Sequence, residues 1–295
     1  MPKLQIGKEL SIFYSDNTKT YSHLSTDHGE ADQDDSKPPI LILIHGAGGT
    51  HIHWPAELRT LSSGFVYALD LPGHGRSDPP GRTTVDAYAD DVMAFVEALD
   101  FSAQGLSDRD LSGYETSKEK ARVVLVGHSM GGAIAQVIGI RNPEWLAGLV
   151  LVGTSARLPV TDIILDGLLK DFPKTVNFIM KMCWSGPYVQ AIRIALAGRE
   201  MRKISPEVVH GDFVACNGFD VRRRLGEVSV PTLVISGSDD KMTPQKFGRS
   251  LADAIPSASL EVMPKSGHMM ALEYPLELTA LVEQFMNKFV SKMKD

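Results

Sequence analysis

Cysteine is scarce in this sequence, with two residues, Cys183 and Cys216, among 295. That excludes a disulfide framework and leaves open at most one bridge; the simpler reading is a pair of free thiols in a reducing cytosol. No apolar run approaches the roughly 20 residues that a membrane span needs. The first residues, Met-Pro-Lys-Leu-Gln-Ile-Gly-Lys-Glu, lack a basic region followed by an apolar stretch, so no export signal is expected. Positive charge is not in excess either. With 36 acidic against 30 basic residues the net charge is −6, which gives no general attraction to phosphate backbones or anionic membranes. There is no internal repeat and no low-complexity tract. What is present is a 43% hydrophobic chain, long enough for one large or two ordinary domains. The expectation is a soluble cytoplasmic protein with no nucleic-acid partner and no membrane span.

Short apolar runs occur at 40–44, 65–69, 122–126, 148–152, 232–236 and 259–263. Several are apolar at nearly every position, the pattern of strands buried on both faces of a parallel sheet. Between them, Asp86 to Leu99 carries Tyr88, Val92, Phe95, Val96 and Leu99 at helical spacing, and Ala133 to Ile140 reads as the start of an apolar helix. Strand and helix alternate, which predicts an α/β fold with a mostly parallel central sheet flanked by helices.

Three stretches break this rhythm. Residues 15–38, with Asp27, Glu30, Asp32, Asp34 and Asp35, read as a solvated loop between two N-terminal strands, and residues 102–120 as a second exposed insertion. The third stretch, 156–226, has no buried-strand pattern. There Ile163, Ile164, Leu168, Leu169, Phe172, Phe178, Ile179, Met182, Trp184, Ile192 and Leu196 recur at helix-like spacings. It reads as an inserted helical cap that divides the core domain into 1–155 and 227–295. The cap carries 11 lysines and arginines against 7 acids, opposite in sign to the rest of the chain; such an excess attracts an acidic ligand or, more commonly, is simply the solvated faces of helices. Pro275 opens a last helix with a single apolar stripe of Leu278, Leu281, Val282, Phe285 and Phe289.

The strand at 122–126 runs into Gly127-His128-Ser129-Met130-Gly131-Gly132 and then into the apolar helix. A serine at the apex of so tight a strand-to-helix turn brings its neighbours two residues away into close contact, and Gly127 and Gly131 supply the missing side chains. Such a turn lifts the hydroxyl off the sheet and leaves the Met130 N–H free at a helix N-terminus, where negative charge is favoured. A serine hydroxyl becomes a good nucleophile only when a base takes its proton. A carboxylate and a histidine stand beyond later strand ends, in Gly237-Ser238-Asp239-Asp240 and in Ser266-Gly267-His268. The order is Ser129, Asp240, His268, all at the edge of the sheet where ligands gather in open α/β folds.

With these motifs, the chain from about Ile40 to Phe289 resembles the α/β-hydrolase superfamily, and within it the cap-bearing, esterase-like serine hydrolases. The resemblance rests on His45-Gly46, Asp70-Leu71-Pro72-Gly73-His74-Gly75-Arg76-Ser77, the Ser129 turn, Pro231-Thr232-Leu233-Val234-Ile235 leading to Asp240, and Gly267-His268. It implies an α/β-hydrolase fold, selects Asp240 over Asp239 as the acid because it stands four residues before Pro244, and makes Ser129, His268 and Asp240 the catalytic residues. It also implies an oxyanion hole built from the Met130 and Ala47 amides, with Gly48 as the substitute for Ala47. No cofactor and no metal are implied.

Gly46-x-Gly48 after a buried strand also resembles the dinucleotide fingerprint, but its third glycine would fall on His51, whose side chain opposes close helix–strand packing. His51 and His53 have no third metal ligand at a recognisable spacing. His128 is expected to support the turn, and Ser185 lacks the preceding strand and paired glycines. The expected function is hydrolysis of a small or medium apolar carboxylic ester through an acyl-enzyme, on a small-molecule substrate with an apolar group. Hydrolysis of a C–C bond, a thioester or a lactone, or perhydrolase work, on the same residues is the alternative, and a non-catalytic ligand receptor the more distant one. Dehalogenases and epoxide hydrolases of this fold carry aspartate where this chain has Ser129.

Overall fold

The computed structural model describes residues 2–17, 39–99, 122–186 and 191–291, the side chains of 288–291 excepted. The expected loop at 15–38 lies outside the described residues from position 18 onward, and the expected insertion at 102–120 lies outside them altogether. The strands are β1 (Lys3–Gln5), β2 (Ser11–Asp16), β3 (Ile40–Ile44), β4 (Phe65–Leu69), β5 (Val123–His128), β6 (Leu146–Val152), β7 (Thr232–Gly237) and β8 (Ala258–Met263). They form one sheet in the order β1-β2-β4-β3-β5-β6-β7-β8. β2 is antiparallel to β1 and β4, and every other pair is parallel.

The unbroken apolar runs have a direct cause in this sheet. Ile40, Ile42 and Ile44 of β3 and Val123 and Leu125 of β5 face one buried cluster. Leu41, Leu43, Val124 and Val126 face another on the opposite side. Helices cover both faces, so neither set of alternate residues can be polar. On the first side lie α2 (Val85–Ala98) and α3 (Met130–Arg141), after the four-residue α1 (Ala56–Arg59) on the second. β8 departs from the pattern: at the sheet's edge its exposure alternates along the strand, with Ser259 and Glu261 exposed.

Between β6 and β7 the chain forms α4 (Asp162–Lys170), α5 (Phe172–Cys183), α6 (Ala191–Met201) and α7 (Pro206–Gly218). Their inward residues, among them Leu168, Val176, Ile179 and Val209, form a third cluster with Met269 of the core. Only part of the apolar content read from the sequence serves it. Ile163, Leu169, Phe178, Ile192 and Leu196 are exposed, because spacings alone do not say which of two adjacent apolar residues turns inward. The chain ends through α8 (Gln245–Ala254), α9 (Met270–Glu273) and α10 (Pro275–Ser291). In α10, Leu278 and Val282 are fully buried, with Leu281 and Phe285 partly so; the Phe289 side chain lies outside the described residues.

This topology dictates where a ligand can sit. β3 connects toward β4 on one side and β5 toward β6 on the other, so a crevice opens at the carboxyl ends of β3 and β5. Asp70, directly after β4, fixes the loops that border this crevice. It is fully buried. Its Oδ1 accepts from the His51 backbone N–H at 2.7 Å and from His51 Nδ1 at 2.8 Å, and its Oδ2 from the Arg76 N–H at 3.0 Å. Asp70→Ala strands two backbone donors, each costing about 1–3 kcal/mol when buried unpaired. Urea denaturation should show a loss of about 2–4 kcal/mol; a loss below about 1 kcal/mol would contradict this role.

Candidate active site

Ser129 occupies the turn between β5 and α3 with φ 53° and ψ −116°, a backbone region that L-residues other than glycine rarely visit. The surroundings hold it there. Its N–H donates to Val152 O at 2.9 Å, and its carbonyl accepts from Ala133 N–H at 3.1 Å and Thr154 Oγ1 at 2.8 Å. The two glycines read from the sequence are needed for different contacts: a Cβ on Gly127 would run into the Gly131 carbonyl, and one on Gly131 into the Ile44 carbonyl of β3. The turn is therefore tight in itself and pressed against the neighbouring strand.

Asp240 and His268, 28 positions apart, meet beyond the ends of β7 and β8. His268 Nδ1 lies 2.9 Å from Asp240 Oδ2, and both residues are buried. A carboxylate only accepts, so the proton of His268 sits on Nδ1 and Nε2 is left as the basic nitrogen. Asp240 Oδ1 accepts from the Met242 and Thr243 backbone N–H groups, each at 2.8 Å, and Oδ2 from Thr243 Oγ1 at 2.7 Å. Asp239, by contrast, is exposed and accepts from Ser238 Oγ. Thr243 went unread in the sequence, although a hydroxyl three residues after an acid is a recurrent partner in such turns. His128 packs beside His268 with ring centroids 4.7 Å apart. Burial, then the charge of His268, lowers its pKa to about 3. The ring is neutral, and its Nε2–H donates to the His268 carbonyl at 2.9 Å, so it braces the backbone of the other histidine.

The loop after β3 comes close to Ser129: a Cβ on Gly46 would stand 3.0 Å from Ser129 Cβ. Gly46 O accepts from Gly49 N–H at 3.0 Å and lies 2.8 Å from His45 Nδ1. His45 Nε2 accepts from Leu71 N–H at 3.0 Å, which puts the ring proton on Nδ1. The Gly46 carbonyl and the Ala47 N–H are opposite ends of one trans peptide plane, so fixing the first aims the second. The Gly48 N–H, the substitute donor in the sequence reading, is engaged elsewhere, 2.8 Å from Asp212 Oδ2. Among the described residues neither the Ala47 nor the Met130 N–H has a protein acceptor. The chain after this loop makes a single 3-10 turn at His51–His53 instead of the helix that a dinucleotide site requires. Among the described residues no cluster of side chains could hold a metal ion.

Gly46, Ala47, Ser129 and His268 line one cavity of about 120 Å³. The rest of its wall is mostly apolar: Ile179 and Met180 from α5, Met201 from α6, Phe213 and Cys216 from α7, with Leu158, Met242 and Met269. Asp212 was missed by sequence reading, which counted it only as one acid of the cap. The available signal was its place on the stripe Val209, Asp212, Phe213, Cys216, all buried, where a carboxylate requires partners.

The Asp240 carboxyl is pushed up by burial, but the charge and hydrogen bond of His268 and the donors of Thr243 outweigh this and hold it below the usual value. A depressed carboxylate stabilises the fold above its unfolded pKa, about 3.9, and that contribution is lost as pH falls through the folded value. Asp240→Asn should therefore be less stable than the parent at about pH 5, with the gap closing as pH drops below about 4. Urea titrations along a pH series measure this; a gap that does not change over the range would contradict the assignment.

The alpha/beta hydrolase family model matches residues 41–281. A pimeloyl-[acyl-carrier protein] methyl ester esterase of Nitrosomonas europaea is 26% identical over 267 residues, 85% of this chain and 94% of that protein. A 2-hydroxy-6-oxononadienedioate/2-hydroxy-6-oxononatrienedioate hydrolase of Cupriavidus pinatubonensis is 28% identical over 83% of this chain and 86% of its own length. Among solved structures, a thermophilic esterase superposes with a TM-score of 0.68 at 34% identity, covering 84% of this chain and 90% of that one. No helix among the described residues is long and apolar enough to cross a membrane. By sequence and by fold, the chain belongs to the alpha/beta hydrolase family and is a hydrolase.

Proposed function

We propose that the protein is a serine hydrolase that cleaves a small or medium apolar carboxylic ester through an acyl-enzyme. The observation that carries this reading is the pairing of His268 Nδ1 with Asp240 at 2.9 Å, with His268 and Ser129 lining the same cavity. Nε2 of His268 takes the Ser129 proton as the hydroxyl attacks the carbonyl carbon, and Asp240 stabilises the imidazolium that forms. The amides of Ala47 and Met130 receive the developing oxyanion; a single such donor is worth about 2.7–4 kcal/mol of barrier. His268 then protonates the departing alcohol, and water repeats the attack to release the acid. The step needs no cofactor or metal.

Residues 156–226 act as the cap of a core made of 1–155 and 227–295. The cap residues Ile179, Met180, Met201 and Phe213 face the cavity, and such a wall favours an apolar acyl or alcohol group, with Arg157, among the described residues, the one charged cap side chain that also lines it. A cavity of about 120 Å³ favours short to medium chains. Cys183 and Cys216 are unpaired and buried, which suits a reducing compartment such as the cytoplasm.

A series of p-nitrophenyl acyl esters tests this. Turnover should peak at short to medium chain length, and Ser129→Ala should lower kcat by about 10⁴-fold or more. A fluorophosphonate should label the parent and spare that variant. Absent turnover together with absent labelling would favour a ligand receptor on this scaffold.

A further inference from the structure

Asp212 reaches out of the helical lobe into the loop beside the nucleophile. It is fully buried on α7, and three donors from the core converge on it. Gly48 N–H and His74 Nε2 each lie 2.8 Å from Oδ2, and Tyr88 Oη lies 2.6 Å from Oδ1. His74 Nδ1 faces the Pro72 carbonyl at 3.0 Å. Both ring nitrogens of His74 thus point at groups that can only accept, so both carry protons and the ring is the counter-ion of the carboxylate.

The Gly48 contact matters for chemistry because of where Gly48 stands. Gly46 to Gly49 is a β-turn closed by Gly49 N–H to Gly46 O, and Gly48 has φ +63° at its third position. The middle peptide of such a turn has two orientations, which differ by a flip that reverses its N–H and C=O. A fixed acceptor at the N–H selects one; the other would turn the Ala47 carbonyl toward the carboxylate. We infer that Asp212 is a positioning residue: acting from the cap through Gly48, it holds the loop so that Ala47, not Gly48, offers its N–H to the cavity. This rests on the serine-hydrolase reading of Ser129, His268 and the Ala47 amide. An α7 that swung away would also strip His74 of its counter-ion and free the loop.

The test compares Asp212→Leu and Asp212→Asn with the parent, and with Leu168→Ala, a cavity in the lobe's buried cluster that removes no hydrogen-bond acceptor of the loop. An alkyl trifluoromethyl ketone, whose adduct with the serine places an oxyanion on the same donors, is the probe. Asp212→Leu should lose on the order of 10- to 100-fold in kcat, with KM within about twofold and ketone affinity falling in step with kcat. Asp212→Asn, which keeps an oxygen acceptor, should recover most of the loss. Leu168→Ala should lower Tm and leave ketone affinity unchanged. Unchanged ketone affinity in a folded Asp212→Leu, or an equal loss in Leu168→Ala, overturns the inference. Should Asp212→Leu not fold, amide exchange in the parent decides: a Gly48 N–H slowed about a hundredfold or more supports it, and rapid exchange overturns it. Ser129→Ala separates the two levels. If that variant keeps turnover, the serine-hydrolase reading itself falls; if it is inactive while Asp212→Leu binds the ketone normally, only the positioning role falls.

Discussion

The protonation of one imidazole depends on a carboxylate that is wholly committed. Asp240 takes backbone N–H groups of Met242 and Thr243 on one oxygen, and the Thr243 hydroxyl with His268 Nδ1 on the other. Because these donors hold the carboxylate still and charged, His268 keeps its Nδ1 proton and a basic Nε2. His128 adds the second restraint by donating to the His268 carbonyl. The chemistry proposed for Ser129 needs both. A histidine free to rotate, or in the other tautomer, offers the serine a donor where an acceptor is required.

The sheet makes this arrangement possible by geometry alone. The ends of β3 and β5 lie side by side at the point where the chain's winding reverses, so the loop carrying Ala47 and the turn carrying Ser129 are neighbours however far apart they are in sequence. Glycine at 131 lets that turn press on β3, and Gly46 lets the loop close on Ser129 in return. Ser129 keeps its strained backbone because rigid strands and a helix hold both its ends.

Much of this is legible in the sequence alone. Strands buried on both faces announce themselves as unbroken apolar runs, so β3, β4 and β7 fall where Ile40, Phe65 and Thr232 begin such runs. Ser129 was legible because its turn forces glycine at fixed offsets. The choice of Asp240 over Asp239 comes from the family resemblance; in the structure it is Asp240 that lies against His268. What stayed hidden depends on long-range pairing. Asp212 meets Gly48, His74 and Tyr88 across 124 to 164 positions, a separation at which sequence carries no local signal except a lone acid on an apolar stripe. The lobe's exposed Ile163, Leu169 and Ile192 were unreadable for a related reason, since a helix with apolar residues on adjacent positions does not declare its inner face.

Rapid quenching of the protein with an activated ester, followed by intact-mass measurement and peptide mapping, tests the central claim most directly. The account predicts one acyl group per chain, on the peptide containing Ser129, formed in the parent and missing when His268 is replaced by alanine. Ester turnover that proceeds with no acylated protein at any time, or acyl groups found only elsewhere, would contradict it.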